Sequence, residues 1–278
     1  MTLKNDYARP GRATDKTPDG EASPLPALLP EDARRRWWRR GRWELLLLVY
    51  AAYDGSRLLA GDNRSQAQQH GRRLLAIERA LDLSPEHWLN RAFAEHSWLG
   101  APADYVYSLL HYAITAVVLI WLWRYRRAHY THARTWLLLT TALGLVGFVA
   151  FPTAPPRLLD SSSGFVDVLA QHASIGWWSG GGVPKGLADM TNDYAAMPSL
   201  HVGWALWCGL LIFRHGRNRV IRLFGLIYPP TIAVVVMGTA NHYLLDCVAG
   251  AAVTTLGLQG TGPAMRLGAW IGAKRAAG

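Results

Sequence analysis

Two short polar stretches interrupt an otherwise apolar C-terminal half: Met197-Pro198-Ser199-Leu200-His201 and Asn241-His242-Tyr243-Leu244-Leu245-Asp246. Histidines and carboxylates are costly at membrane depth, where such groups usually line a cavity and serve chemistry or transport. His242 and Asp246 are four positions apart, so on a helix they share one face, and the carboxylate can hold the imidazole in one tautomer. The pair reads as an activated base or nucleophile. A third element, Phe151-Pro152-Thr153-Ala154-Pro155-Pro156-Arg157, ends an apolar block with prolines that cannot continue a helix, and so leaves Arg157 at that block's end.

These residue types suit phosphoryl transfer without a metal. A phosphoryl group in transfer spreads charge over its oxygens. Arg157 can bind two of them in a fork, and the amides opening the helix after Ser199 add more donors. His242, oriented by Asp246, can attack phosphorus and form a phosphohistidine, while His201 protonates the departing oxygen and later activates the acceptor. The expected partners are a membrane lipid substrate and an alcohol or water acceptor. No metal-ligand spacing is visible, and no metal or cofactor is expected.

The elements that must position these groups are apolar blocks of about 17 to 22 residues, the length that crosses a hydrocarbon core. There are six, at 43–60, 103–123, 135–151, 195–213, 221–237 and 241–258. The expected fold is all-α: a polytopic integral membrane protein with six transmembrane helices plus amphipathic interfacial helices. One membrane domain occupies 34–262. Residues 1–33, rich in Pro, Asp, Thr and Gly and without an apolar run, read as a disordered cytoplasmic tail with no cleavable signal peptide, and 263–278 as a short cytoplasmic tail.

The net charge of +10 does not imply nucleic acid, because the cations sit beside apolar blocks, at 34–42, 124–134 and 214–222, rather than on a recognition motif. Under the positive-inside rule these clusters are cytoplasmic anchors, as are Lys274 and Arg275. The chain then lies in the cell membrane as a multi-pass protein with both termini cytoplasmic. Arg157, Ser199, His201, His242 and Asp246 converge on the extracytoplasmic side. Cys208 and Cys247, both within apolar blocks, read as small apolar residues.

Two further helices are expected in the first external connection. Leu74, Ile77 and Leu81 recur at helical spacing among charged residues, and Ser84-Pro85-Glu86 reads as a serine-capped helix start from which Trp88, Leu89 and Phe93 face the membrane or the bundle. The long stretch from Pro152 to Tyr194 reads as loop, with Trp177 and Trp178 as interfacial anchors. Pro229-Pro230 is expected to kink the fifth span.

The motifs also carry a resemblance. Pro198-Ser199-Leu200-His201 and His242-Tyr243-Leu244-Leu245-Asp246 resemble the second and third signatures of the type 2 phosphatidic acid phosphatase superfamily. Phe151 to Arg157 resembles the first signature in its inositol phosphorylceramide synthase branch. The resemblance implies a six-helix fold, lipid phosphate substrates and a phosphohistidine mechanism. It makes His242 the nucleophile, Asp246 its partner, His201 the acid, and Arg157 and Ser199 phosphate contacts. Ala150 stands where the wider superfamily has a lysine, Val236 where it has an arginine, and Leu200 where glycine is usual. These departures are similar to the inositolphosphotransferase and sphingomyelin synthase branches, which favour transfer to an alcohol or a phosphodiester substrate.

Each site residue also has a structural reading, since a single histidine between helices often serves only as a hydrogen-bonding brace. His111, near Tyr105, Tyr107 and Tyr112, reads as packing or an accessory contact. Asp54 and Arg57 read as a self-satisfied helix pair or as part of an acceptor pocket. Lys185 is a solvated loop residue or a replacement phosphate cation, and Asn241 a helix cap or a phosphate contact. The competing class is a non-catalytic transporter or flippase for a phosphorylated lipid.

Overall fold

Long apolar runs leave the backbone few partners but itself, and every regular element among the described residues is helical. The computed structural model describes residues 64–176 and 194–277, with side chains described as far as Lys274. The tail 1–33, the basic cluster 34–42, the block 43–60 with Asp54 and Arg57, and Trp177, Trp178 and Lys185 lie outside the described residues.

The chain order is α1 (Arg64–Ala80), α2 (Glu86–Glu95), α3 (Ser97–Tyr105), a π-helical turn (Val106–Leu110), α4 (His111–Tyr125) and α5 (Arg127–Ala150). Two 3-10 turns (Pro156–Leu158 and Ser161–Ser163) precede α6 (Val168–Gln171), α7 (Leu200–His215), α8 (Arg219–Gly238) and α9 (Leu244–Ala277). Among the described residues, three helical segments are long and apolar enough to cross a membrane: Ser97–Tyr125, which joins α3, the π-turn and α4, then Arg127–Ala150 and Arg219–Gly238. They correspond to the second, third and fifth apolar blocks. The fourth block forms α7, whose 16 residues extend about 24 Å at the α-helical rise, short of a typical hydrocarbon core. The last block begins α9, which continues past Leu258 and through Pro263 to Ala277, so the described part of the segment read as a tail is helix.

The core lies where α7 meets α8 and where α9 crosses α5 and α7. Trp207, fully buried, donates from its indole nitrogen to the Ala133 carbonyl, and Trp136 donates likewise to Thr254. Both large side chains therefore fill the interior without an orphaned donor. Close approach depends on missing side chains. A Cβ on Gly209 would meet the Gly225 carbonyl at 2.5 Å, so α7 and α8 touch backbone to backbone, as small residues permit in membrane bundles. Outward-facing Val117, Ile120, Val146 and Leu226 are exposed, as suits a lipid-facing exterior.

The amphipathic helix forms, but with a different face inward. α1 buries Ala67, His70, Gly71, Leu74, Leu75 and Glu78, whereas Ile77 and Leu81 are 48% and 58% exposed. The inward stripe is the one that meets Tyr243 and the start of α9, where Leu74, Leu75 and Tyr243 form a small cluster. Glu78 accepts from the Leu245 amide at 2.6 Å and thereby satisfies one of the donors a helix start leaves unpaired. At α2 the N-cap is Pro85, with no side-chain cap, in place of the expected Ser84. Leu89 and Phe93 turn into the bundle, and Trp88 stays exposed.

Candidate functional site

Proline chemistry delivers Arg157. The prolines after α5 end the helix, and Pro156 opens a 3-10 turn that carries Arg157 inward. Its side chain is only 7% exposed. The Arg157 amide donates to the Ala240 carbonyl at 3.0 Å. Its Nε–H donates to Asn241 Oδ1 at 2.9 Å and its guanidinium to Asp167 Oδ2 at 3.2 Å. Asn241 in turn donates to the Thr239 carbonyl and hydroxyl. The Asn241 side chain thereby clamps the arginine to the turn before His242.

Ser199 is the N-cap of α7, fully buried, with its hydroxyl accepting from the Val202 amide. Its own amide donates to the Asp246 carbonyl at 2.9 Å, which ties the start of α7 to the start of α9. Gly250 lies against this backbone, where a side chain would collide with the Ser199 carbonyl. His201, half-buried in the first turn of α7, has Tyr107 stacked on its ring at 4.5 Å, His111 at 4.1 Å and His242 edge-on at 5.5 Å. The π-turn at Val106–Leu110 carries Tyr107 toward His201, and such turns within α-helices often accompany functional sites.

His242 is not on the same helix face as Asp246, because α9 begins two residues after it. The imidazole Nδ1 meets the Ala196 carbonyl at 2.8 Å and Asp246 Oδ2 only at 3.4 Å. A carbonyl can only accept, so Nδ1 carries the proton, and Nε2 keeps the lone pair a nucleophile needs. Asp246, fully buried, accepts from the Tyr243 amide at 2.9 Å, as a residue in a helix's first turn does when it reaches back to the cap. Its expected work as tautomer holder is shared with, and led by, the Ala196 carbonyl.

The structure thus brings Arg157, Ser199, His201, His242 and Asp246 to one end of the helices, where the last turn of α5 and the first turns of α7 and α9 meet. The basic segments 124–134 and 214–222 lie at the other end, where Arg126 contacts the His215 carbonyl and His129 packs on His215. A family model described as the PAP2 superfamily matches residues 72–259, which include all five positions. The chain belongs to the PAP2 superfamily. No curated protein and no solved structure matches it. PAP2 membership supports an enzyme and fits a lipid phosphatase or phosphotransferase, and the apolar helices are those of a membrane protein.

Three features of this PAP2 chain were missed or underread in the sequence. Asp167 sits in a loop without periodicity, where no pattern marks it as the partner of Arg157. Asp104 and His172 pair at 2.7 Å, both buried, across 68 residues. His111 packs directly on His201, and its Nδ1 has no partner among the described residues. Its position four residues after Tyr107 was visible, but helical spacing alone does not say which neighbour a ring meets.

Proposed function

We propose that this PAP2 protein is a metal-independent lipid phosphotransferase or phosphatase of the inositolphosphotransferase type, working through a phosphohistidine on the extracytoplasmic side of the cell membrane. His242 Nε2 attacks the phosphorus of a lipid-linked phosphate, and the bond from phosphorus to the departing oxygen breaks. That oxygen takes a proton from His201. In the second half, the acceptor, an alcohol or water, gives its proton to His201 as its oxygen attacks phosphorus, and the bond from phosphorus to His242 breaks. Arg157 and the amides opening α7 hold the phosphate oxygens, with Ser199 shaping that helix start as its cap. Asp246 and the Ala196 carbonyl keep the Nδ1 proton of His242 in place.

The observation that carries this reading is the 5.5 Å separation of the His201 and His242 rings beside a buried arginine clamped to residues 240 and 241. Val236, at the position of a superfamily arginine, is fully buried and uses its carbonyl to accept from the Asn241 and His242 amides. The loss of that cation supports a substrate carrying less charge than a phosphomonoester.

The test supplies labelled lipid phosphates and phosphodiesters to the purified protein in detergent, with and without inositol. Label leaves as free phosphate or appears on the alcohol, chelator changes neither, and His242→Ala abolishes both. A transporter retains partial substrate movement in that variant and produces no labelled product, which is the result that removes the enzymatic reading.

A further inference from the structure

Arg157 does not face the site as a bare cation. Its guanidinium meets the Asp167 carboxylate at 3.2 Å, with only 7% and 23% of the two side chains exposed, so solvent screens the pair weakly. Asp167 is held in this place by a second bond: its other oxygen accepts from the Ala170 amide and caps α6. Nearby, Asp104 is paired with His172 and lies close enough to Asp167 to repel it. Asp246 adds a further carboxylate beside His242. Among the described residues, the carboxyl groups around the histidines therefore outnumber the arginine that would face a phosphate.

We propose that Asp167 sets the charge of the phosphate this site accepts: by pairing with Arg157 it makes the site favour a singly charged phosphodiester over a doubly charged phosphomonoester. The inference rests on the phosphotransfer reading above and narrows its substrate class. A phosphodiester carries one negative charge at neutral pH, whereas a monoester approaches two. The additional charge gains attraction from Arg157 but also repulsion from Asp167 a few ångströms away, so the carboxylate discriminates without touching substrate. Asp167 is a positioning and specificity residue that acts through Arg157.

The experiment compares kcat/KM for a short-chain phosphatidate, the monoester, and a short-chain phosphatidylinositol, the diester, using the full chain in detergent. Asp167→Asn and Asp167→Ser remove the charge yet keep an oxygen for the Ala170 amide. The monoester-to-diester ratio rises about tenfold in both, from the loss of one charge repelling the second phosphate charge. Asp167→Glu retains the original preference. An unchanged ratio in the neutral variants overturns the inference. So does an equal loss on both substrates that Asp167→Glu restores, because that marks a merely structural anchor.

A second measurement varies the charge on the ligand. Glycerol phosphate and its methyl diester are compared as inhibitors of the unaltered protein between about pH 7.5 and about pH 5.5, across the monoester's second ionisation near 6. His201, His242, His172, Asp104 and Asp246 also face this region, so the same ratio is followed in Asp167→Asn, where the trend is lost. Monoester inhibition of the unaltered protein strengthens relative to the diester as pH falls. A constant ratio there overturns the inference. Turnover surviving in His242→Ala removes the underlying reading and the inference with it, whereas the Asp167 and inhibitor results by themselves remove only the charge selection.

Discussion

Among the described residues, two histidines pair with aspartates, and the pairs differ in origin. His242 and Asp246 are four residues apart, yet their contact is the longer one, 3.4 Å, and the Ala196 carbonyl is closer to the imidazole than the carboxylate is. His172 and Asp104 are 68 residues apart and meet at 2.7 Å with both side chains buried. Proximity along the chain gives two groups the opportunity to pair, but the backbone competes for them. Asp246 is occupied with the Tyr243 amide because a helix starts there, and that start has donors to satisfy. Asp104, inside a continuous helical segment, has no such duty, and folding presents His172 to it directly.

The difference separates chemistry from bracing, and replacing each histidine tests it most severely. His242→Ala lowers kcat/KM by about 10⁴-fold or more, in the range seen when a covalent nucleophile is lost. Its melting temperature changes little by comparison. His172→Ala does the reverse: it leaves Asp104 buried without its partner and destabilises the protein by about 3 kcal/mol, read by denaturation, while the variant that remains folded still turns over. Equal loss of activity in both would erase the distinction.

Asp246→Asn is the sharper and smaller test. The amide oxygen can still accept from Tyr243, and the Ala196 carbonyl still holds the His242 tautomer, so kcat falls only about tenfold, roughly 1.4 kcal/mol. A drop near 10⁴-fold, as when a triad aspartate is the tautomer's main support, would show that the carboxylate and not the carbonyl leads. Below this comes Ser199→Ala, which removes the cap of α7 and lowers stability by about 1 kcal/mol, measured by thermal unfolding in detergent.

Glu78 extends the comparison to a third carboxyl group at the start of α9. Burial pushes its pKa up to about 8, against the lowering effect of its bond from Leu245 and assisted by neighbouring Glu86. Glu86 is itself fully buried, with neither carboxyl oxygen partnered among the described residues. A carboxyl whose folded pKa lies above its unfolded one binds more protons in the folded state. Its contribution to stability is therefore complete below about 4.5 and is lost as pH rises through about 8. Denaturation followed across that window shows a falling stability in the unaltered protein and a shallower fall in Glu78→Gln, which keeps an oxygen for Leu245 but cannot ionise. Identical slopes would rule out this group as the source.

Legibility followed the range of the interaction. The all-helical class and the apolar blocks for three membrane-length helices were readable because periodicity and length act within a segment. The inward face of α1 was not: Leu74, Ile77 and Leu81 satisfy helical spacing, but the stripe centred on Leu74, Leu75 and Glu78 wins because Tyr243 and the Leu245 amide are there to receive it. Nor was the extent of α9, since 263–278 reads as a tail in sequence whereas the helix runs through Pro263 to Ala277.

By itself the sequence determined which groups are available for chemistry, two histidines, an arginine and a carboxyl group in three separated motifs, and the all-helical class, because residue type and local periodicity are properties of the chain alone. The tertiary structure decided who touches whom: Asn241 and Asp167 on Arg157, Ala196 ahead of Asp246 on His242, and Tyr107 and His111 around His201. Hydrogen bonds and ring contacts act over a few ångströms, and those distances between remote segments exist only once the helices have packed.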